Sequence, residues 1–252
     1  MLIMNNQLSD KRLIARLDIK NTKVIKGISY EGYRVIGEIE ELIKNYYLDL
    51  ADEIIIIDTI SSLHNRKTLE NFIETATKEV FIPITICGGI KSQEDINNML
   101  KAGADKVGIN SAAVKNPELI KIISKKFGSQ CIVLSIEAKK RSNGNWEVFY
   151  ENGKEPSGKN VTDWVKQATD NGVGEIFVSS IDNDGSQDGI DIDLINRIMD
   201  NTNVPVIASS GTKDDKNILE VFNKTNVSAI AIASSLHDKT ISIKNFRAKY
   251  KK

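Results

Sequence analysis

Cysteine is nearly absent from this chain: Cys87 and Cys131 are the only two among 252 residues, each inside an apolar run and neither at metal-ligand spacing. That argues against a disulfide framework or a zinc site and for a reducing, cytoplasmic setting. No charge of one sign prevails, because 34 Lys and Arg balance 34 Asp and Glu. The chain therefore offers no global basic face to nucleic acid or to an anionic membrane, and any phosphate recognition must be local. No stretch approaches the roughly 20 apolar residues of a membrane span. The amino-terminal MLIMNNQLSDKR lacks the apolar core and small-residue cleavage site of a secretory leader. Linker-like and low-complexity tracts are missing too, so a soluble, unexported chain is expected.

What is present is an alternation. Short Ile- and Val-rich runs, beginning near Leu13, Ile54, Ile82, Lys106, Ile132, Ile176, Val204 and Ala229, alternate with segments of helical period such as EIEELIKNYYLDLA and SQEDINNMLKAGA. Strands that are apolar on both faces and joined by helices are parallel and covered on both sides. Eight of them in about 250 residues predict one (β/α)8 TIM barrel domain spanning 1–252. Two segments break the rhythm. KKRSNGNWEVFYENGKEPSGKN reads as a hairpin inserted after strand five, with Asn143-Gly144 and Asn152-Gly153 as turns. NTKVIKGISYEGYRVIG, after strand one, reads as a mobile lid carrying Lys26.

The second half echoes the first at an offset of about 120 residues, which predicts duplicated half-barrels of roughly 1–126 and 127–252. RLIARLDIK pairs with CIVLSIEAK, placing Asp18 and Glu137 at the carboxyl ends of opposite strands, where such barrels build their sites. Facing carboxylates in unequal surroundings can divide acid and base duties; taken singly, each equally suits a salt bridge to Lys20 or Lys139. Asp58 and Asp182 are the corresponding, weaker pair. SSIDNDGSQDG, with Asp182 and Asp184, lacks a full calcium-loop pattern and suits substrate contacts better than a metal; no metal or cofactor is expected. Small-residue turns that lead into helices make anion sites. Gly88-Gly89 with Asn110-Ser111 would form one, and Ser210-Gly211 with Ala233-Ser234 the other. Two such sites across one mouth imply a substrate with a phosphate at each end. His64 and His237 read as surface or loop residues, and Trp146 as hairpin packing.

LDIKNTKVIKG, IIIDTISS, ITICGGI, GADKVGINSAAVKNP, GVGEIFVSSIDNDG, VPVIASSG and AIASSLH, in this order and spacing, resemble the cyclase-subunit (HisF) family of imidazole glycerol phosphate synthases over essentially the whole chain. The resemblance implies a lyase/cyclase of histidine biosynthesis, paired with a glutaminase in a heterodimer. It would use the partner's ammonia to cleave and cyclise a bis-phosphorylated ribulosyl formimino aminoimidazole carboxamide ribonucleotide. By motif position it implies a catalytic role for Asp18 and a loop role for Lys26. It likewise implies phosphate contacts at Gly89, Asn110, Ser111, Gly211, Ala233 and Ser234, and substrate contacts at Ser179 and Asp184. Arg12, Glu53, Lys106 and Glu175 match the family's ammonia gate at the opposite end, and Asp105 and Gln130 lie near its partner face; without the resemblance these are ordinary surface charges.

Four residues depart from the family pattern: Glu137 replaces aspartate, Arg16 cysteine, Ser210 the first glycine of a Gly-Gly pair, and Cys87 a glycine. Three other readings therefore stand beside the cyclase. One is a paralogue conducting ammonia for amidation of a nucleotide-linked surface sugar. Another is a noncatalytic activator of a glutaminase, and the third is a sugar-phosphate isomerase.

Overall fold

The computed structural model describes residues 8, 10–60 and 63–250. Eight parallel strands close on one another: β1 (Arg12–Lys20), β4 (Glu53–Asp58), β5 (Ile84–Cys87), β6 (Lys106–Ile109), β7 (Ile132–Lys140), β10 (Glu175–Ser180), β11 (Val206–Ser209) and β12 (Ala229–Ile232). The circuit shuts through β12 with β1 and through β7 with β10, so this is a (β/α)8 TIM barrel. Strands three and seven of the barrel start at Ile84 and Val206, two residues later than the apolar runs suggest. Pro83 and Pro205 intervene, and proline has no N–H for a ladder. Their carbonyls still accept from Ile54 and Ile176 at 2.9 Å.

Both halves carry an antiparallel ribbon at the mouth. β2 (Lys23–Ile28) and β3 (Glu31–Glu38) continue from β1, and β8 (Trp146–Tyr150) and β9 (Glu155–Asn160) continue from β7. The expected hairpin after strand five is there; the segment expected to be a lid is a second hairpin, its partner by symmetry. Helices then cover the outside: α1 (Ile39–Leu48), α2 (Leu63–Ala76), α3 (Gln93–Ala102), α4 (Ser111–Lys115), α5 (Glu118–Phe127), α6 (Val161–Asp170), α7 (Ile192–Met199), α8 (Asp215–Lys224), α9 (Ser234–His237) and α10 (Ile243–Tyr250). Side chains start several of them. Ser92 and Asp95 form a capping box on α3, while Asp191 and Asp214 cap α7 and α8.

Strand alternation sorts the barrel interior into layers. Arg12, Glu53, Lys106 and Glu175 form the bottom ring. Above it an apolar plug of Ile14, Ile55, Cys87, Val133, Phe177 and Ile207 is buried to 2 % exposure or less. Each large side chain so removed from water contributes roughly 1.5–3 kcal/mol, which anchors the polar layer above. None of the described helices is long and apolar enough to cross a membrane.

Candidate active site

At the amino-terminal end of the barrel, four charges from four strands close on one another. Arg12 donates to Glu53 at 2.5 Å and Glu175 at 2.6 Å; Lys106 donates to the same two carboxylates at 3.2 and 2.7 Å. Each cation bridges both acids, so the four residues matched to a gate form a closed ring of alternating sign. Asp105 is exposed, and its carboxylate accepts the Ile84 N–H at 2.8 Å, tying the start of β5.

At the opposite end, Asp18 ends its inward-facing series on β1 and takes three charge-assisted hydrogen bonds. Arg16 reaches it with Nε and Nη2 at 2.8 and 3.0 Å, and Lys26 with Nζ at 2.9 Å. The same two cations reach Asp184, at 3.0 Å from Arg16 Nη1 and 2.7 Å from Lys26. The result is a quartet of two acids and two bases, each at most 4 % exposed. Burial opposes the charge of Asp18, but Arg16 and then Lys26 outweigh it and hold its carboxyl well below the usual range. Lys20 is not its partner. Nor is Arg16 recognisable beforehand as one, because the bidentate pairing needs residues i and i+2 on the inner face of one strand and an aspartate from beyond β10.

Glu137 lies on β7, four places round the barrel from β1. Its Oε2 accepts the Gly153 N–H at 2.7 Å from the hairpin between β8 and β9. Burial raises its pKa to about 7; the Gly153 N–H and Arg16 pull the other way without cancelling it. Lys139 stacks instead over Phe149, 5.7 Å from its centroid. The two carboxylates thus have opposite electrostatics: Asp18 ionised, Glu137 poised near neutrality.

The two small-residue turns have matching backbones. Asn110 before α4 has φ −129° and ψ −85°, and Ala233 before α9 has φ −120° and ψ −85°. Neither short helix has a side-chain cap, and at four or five residues both fall below what periodicity detects. Gly88, Gly89, Asn110 and Ser111 line one cavity of about 90 Å³ together with Glu137 and Asn152. Lys26, Asp184, Ser210, Gly211, Ala233 and Ser234 line a second with Arg16. A central cavity between them is bounded by Asp18, Glu137, Ser179 and Asp184. Each outer cavity holds a buried polar atom without a hydrogen-bond partner among the described residues, Asn110 Oδ1 in the first and Thr212 Oγ1 in the second, as a site built for a polar ligand would. Gly88 has φ +88° and Gly211 φ +86°, and in both a Cβ would fall within 2.2 Å of a backbone oxygen; only glycine fits.

Some expected residues take other places. Asp58 turns its carboxylate to the Ile60 N–H at 3.0 Å, and it lines none of these three cavities. Asp182 accepts the Lys140 N–H at 2.8 Å. His237, expected at the surface, packs inward: its Nδ1 lies 2.5 Å from Tyr46 Oη on α1, and burial lowers its pKa to about 4. The side chain of His64 lies outside the described residues. Trp146 is buried, its indole N–H donating to Asp191 at 2.9 Å, which makes it hairpin packing. Several mouth residues escaped the sequence reading. Tyr30, at the tip of the first hairpin, and Asn152, at the tip of the second, both border the central cavity. No group of three or more potential metal-ligating side chains occurs among the described residues.

Comparison with known proteins agrees with this geometry. The family model described as "Histidine biosynthesis protein" matches residues 12–242. The chain is similar to the imidazole glycerol phosphate synthase subunit HisF of Legionella pneumophila, at 49 % identity over 86 % of this chain and 100 % of that protein. It is similar to the HisF subunit of Prochlorococcus marinus strain MIT 9515 at 43 % identity, over 94 % of this chain and 93 % of that one. For the HisF subunit of Streptococcus mutans serotype c the identity is 39 %, over 92 % and 93 %. With a barrel, two matched small-residue turns and facing carboxylates already in place, the chain belongs to the HisF family of imidazole glycerol phosphate synthase subunits.

Proposed function

We infer that this chain is the cyclase subunit of an imidazole glycerol phosphate synthase, acting in histidine biosynthesis. The carrying observation is the pair Asp18 and Glu137 facing across one cavity, with a small-residue anion turn on either side. The substrate is the bis-phosphorylated ribulosyl formimino aminoimidazole carboxamide ribonucleotide. One phosphate is received by Gly88, Gly89, Asn110 and Ser111, the other by Ser210, Gly211, Ala233 and Ser234. Lys26, Ser179 and Asp184 contact the middle of the substrate, and one barrel domain made of two halves supplies both ends.

Glu137, half protonated near pH 7, acts as the acid, and Asp18, held ionised by Arg16 and Lys26, as the base. A proton donor matched to the working pH and a neighbouring ionised acceptor can divide the proton transfers of a lyase step and a ring closure. Ammonia comes from a glutaminase partner seated at the ring of Arg12, Glu53, Lys106 and Glu175. The apolar plug above that ring passes a neutral molecule far more readily than a cation, since burying an unpaired charge is costly. This reading places the chain in the cytoplasm.

Turnover of the bis-phosphorylated substrate with an ammonium salt tests it. Product formation is expected; the absence of both turnover and binding would overturn it. A second reading is favoured by Arg16, whose guanidinium occupies the mouth at 1 % exposure: a paralogue that conducts ammonia to amidate a nucleotide-linked sugar. Activity on the histidine-pathway intermediate excludes that alternative.

A further inference from the structure

Beyond holding Asp18 ionised, Arg16 makes further contacts across the mouth. Its Nη1 lies 3.0 Å from Asp184 Oδ1, 3.2 Å from Ser179 Oγ and 3.3 Å from Ser209 Oγ, while Nε and Nη2 hold Asp18. The guanidinium also lies over the rings of Phe177 and Tyr30, 5.8 and 5.9 Å from their centroids. Two carboxylates thus hold it by charge-assisted hydrogen bonds, and two aromatic rings lie within cation–π range.

Arg16 and Asp184 border both the central cavity and the one at Ser210–Thr212, so the guanidinium is part of the wall between them. In that second cavity Thr212 is 6 % exposed, and its hydroxyl has no hydrogen-bond partner among the described residues. Charge bookkeeping gives the arrangement its meaning. Asp18, Asp184 and Glu137 put three acids around the mouth, against Arg16 and Lys26. With Arg16 removed, Lys26 alone would face the carboxylates, and an anion entering beside Asp184 would be repelled at close range in a site of low dielectric.

We propose that Arg16, a departure from the family pattern, is a specificity-determining residue that sets how tightly the cavity at Ser210–Thr212 holds the oxyanion end of the substrate, phosphoryl or carboxylate. Arg16 neutralises the carboxylates that line the approach and, with the Thr212 hydroxyl, donates to the oxyanion. The inference rests on the cyclase reading only for the substrate's identity.

Inorganic phosphate is the probe, titrated into isotopically labelled protein while the backbone amide signals of Gly211 and Gly89 are followed. In the wild type both signals are expected to respond. In Arg16→Gln the Gly211 midpoint should move to about tenfold higher phosphate or more, the scale of one lost charge-assisted hydrogen bond, with the Gly89 midpoint unchanged. Arg16→Lys should fall between, and Thr212→Val should weaken the Gly211 response alone. An unchanged Gly211 midpoint in a folded Arg16→Gln protein overturns the proposal. Should that variant not fold, unchanged midpoints in both Arg16→Lys and Thr212→Val overturn it. Acetate as competitor separates the two ligand classes: displacement of phosphate at Gly211 points to a carboxylate end, and its absence to a phosphoryl end. The titration needs no turnover. A barrel inactive on the histidine intermediate but dependent on Arg16 for phosphate sinks the cyclase reading alone, whereas an active cyclase indifferent to Arg16 sinks this proposal alone.

Discussion

Gly153 donates its backbone N–H to Glu137 at 2.7 Å, and this contact has a counterpart across the barrel, where Lys26 of the first hairpin donates to Asp18 at 2.9 Å. Each strand-end carboxylate is thus engaged by the hairpin of its own half. The hairpin tips also meet, since a Cβ on Gly153 would lie 3.6 Å from the Tyr30 ring. The duplicated architecture delivers unequal chemistry: burial dominates at Glu137, whose hairpin adds only a backbone dipole, while Arg16 and then Lys26 of the first hairpin outweigh burial at Asp18.

The first prediction concerns Glu137 and pH. Its folded pKa of about 7 lies above the ordinary 4.5, so between these values the folded protein binds more protons than the unfolded chain. Stability from this group is present below about pH 4.5 and is lost as pH rises through 7. The loss is on the order of 3 kcal/mol. Glu137→Gln should remove that segment of the pH dependence, as denaturant unfolding at pH 5 and pH 8 would register. Equal pH dependence in both proteins would refute the assignment.

Asp18 has the opposite sign. Its depressed pKa gives stability that is present above the unfolded value of 3.8 and lost as pH falls through the folded one. Asp18→Asn should lower turnover by about 10²–10⁴-fold, the range for a lost acid-base group. Phosphate binding should hold or tighten, because one negative charge leaves the mouth. Comparing the rate constant with a phosphate titration checks both halves of the expectation.

The barrel was legible in the sequence because its strands are buried on both faces and read as unbroken apolar runs; IIII in β4 is the plainest case. The paired carboxylates and small-residue turns were legible because they occur twice. What could not be read were contacts fixed by closure. Arg16 meets Asp184 at a separation of 168 residues, and nothing local distinguishes that partner from any other loop aspartate. For Asp18 the neighbouring Lys20 looked an equal candidate, but Lys20 is exposed at the end of β1. His237 was misread for the same reason: its partner, Tyr46, is 191 residues away.

Glycine at 88 and 211 is a steric requirement. Alanine at 88 would bring its Cβ within 2.1 Å of Asp58 O, and at 211 within 2.2 Å of Gly189 O, both at positive φ. Left-handed strain alone costs about 1–3 kcal/mol, and the turn must also move. Gly88→Ala or Gly211→Ala should therefore lower the melting temperature by at least about 4 °C. Each should also abolish the phosphate response of its own turn while sparing the other. A variant with wild-type melting and both responses intact would show that the turns flex freely.

The charged ring yields the last prediction. Lys106 donates to both Glu53 and Glu175, and Arg12 spans the same two acids, so Lys106→Met leaves the ring held from one side only and shifts its balance to negative. The ring is at the far end of the barrel from Asp18 and Glu137, separated from them by the plug of Ile14, Ile55 and Phe177. Ammonium-supported turnover, which reaches the mouth from solvent, should stay within about twofold of wild type, as for distant, independent sites. Turnover supported by glutamine through a bound glutaminase should fall, because ammonia has to cross the altered ring. The ratio of the two rates is the readout. An unchanged ratio would mean that ammonia does not pass between Arg12, Glu53, Lys106 and Glu175.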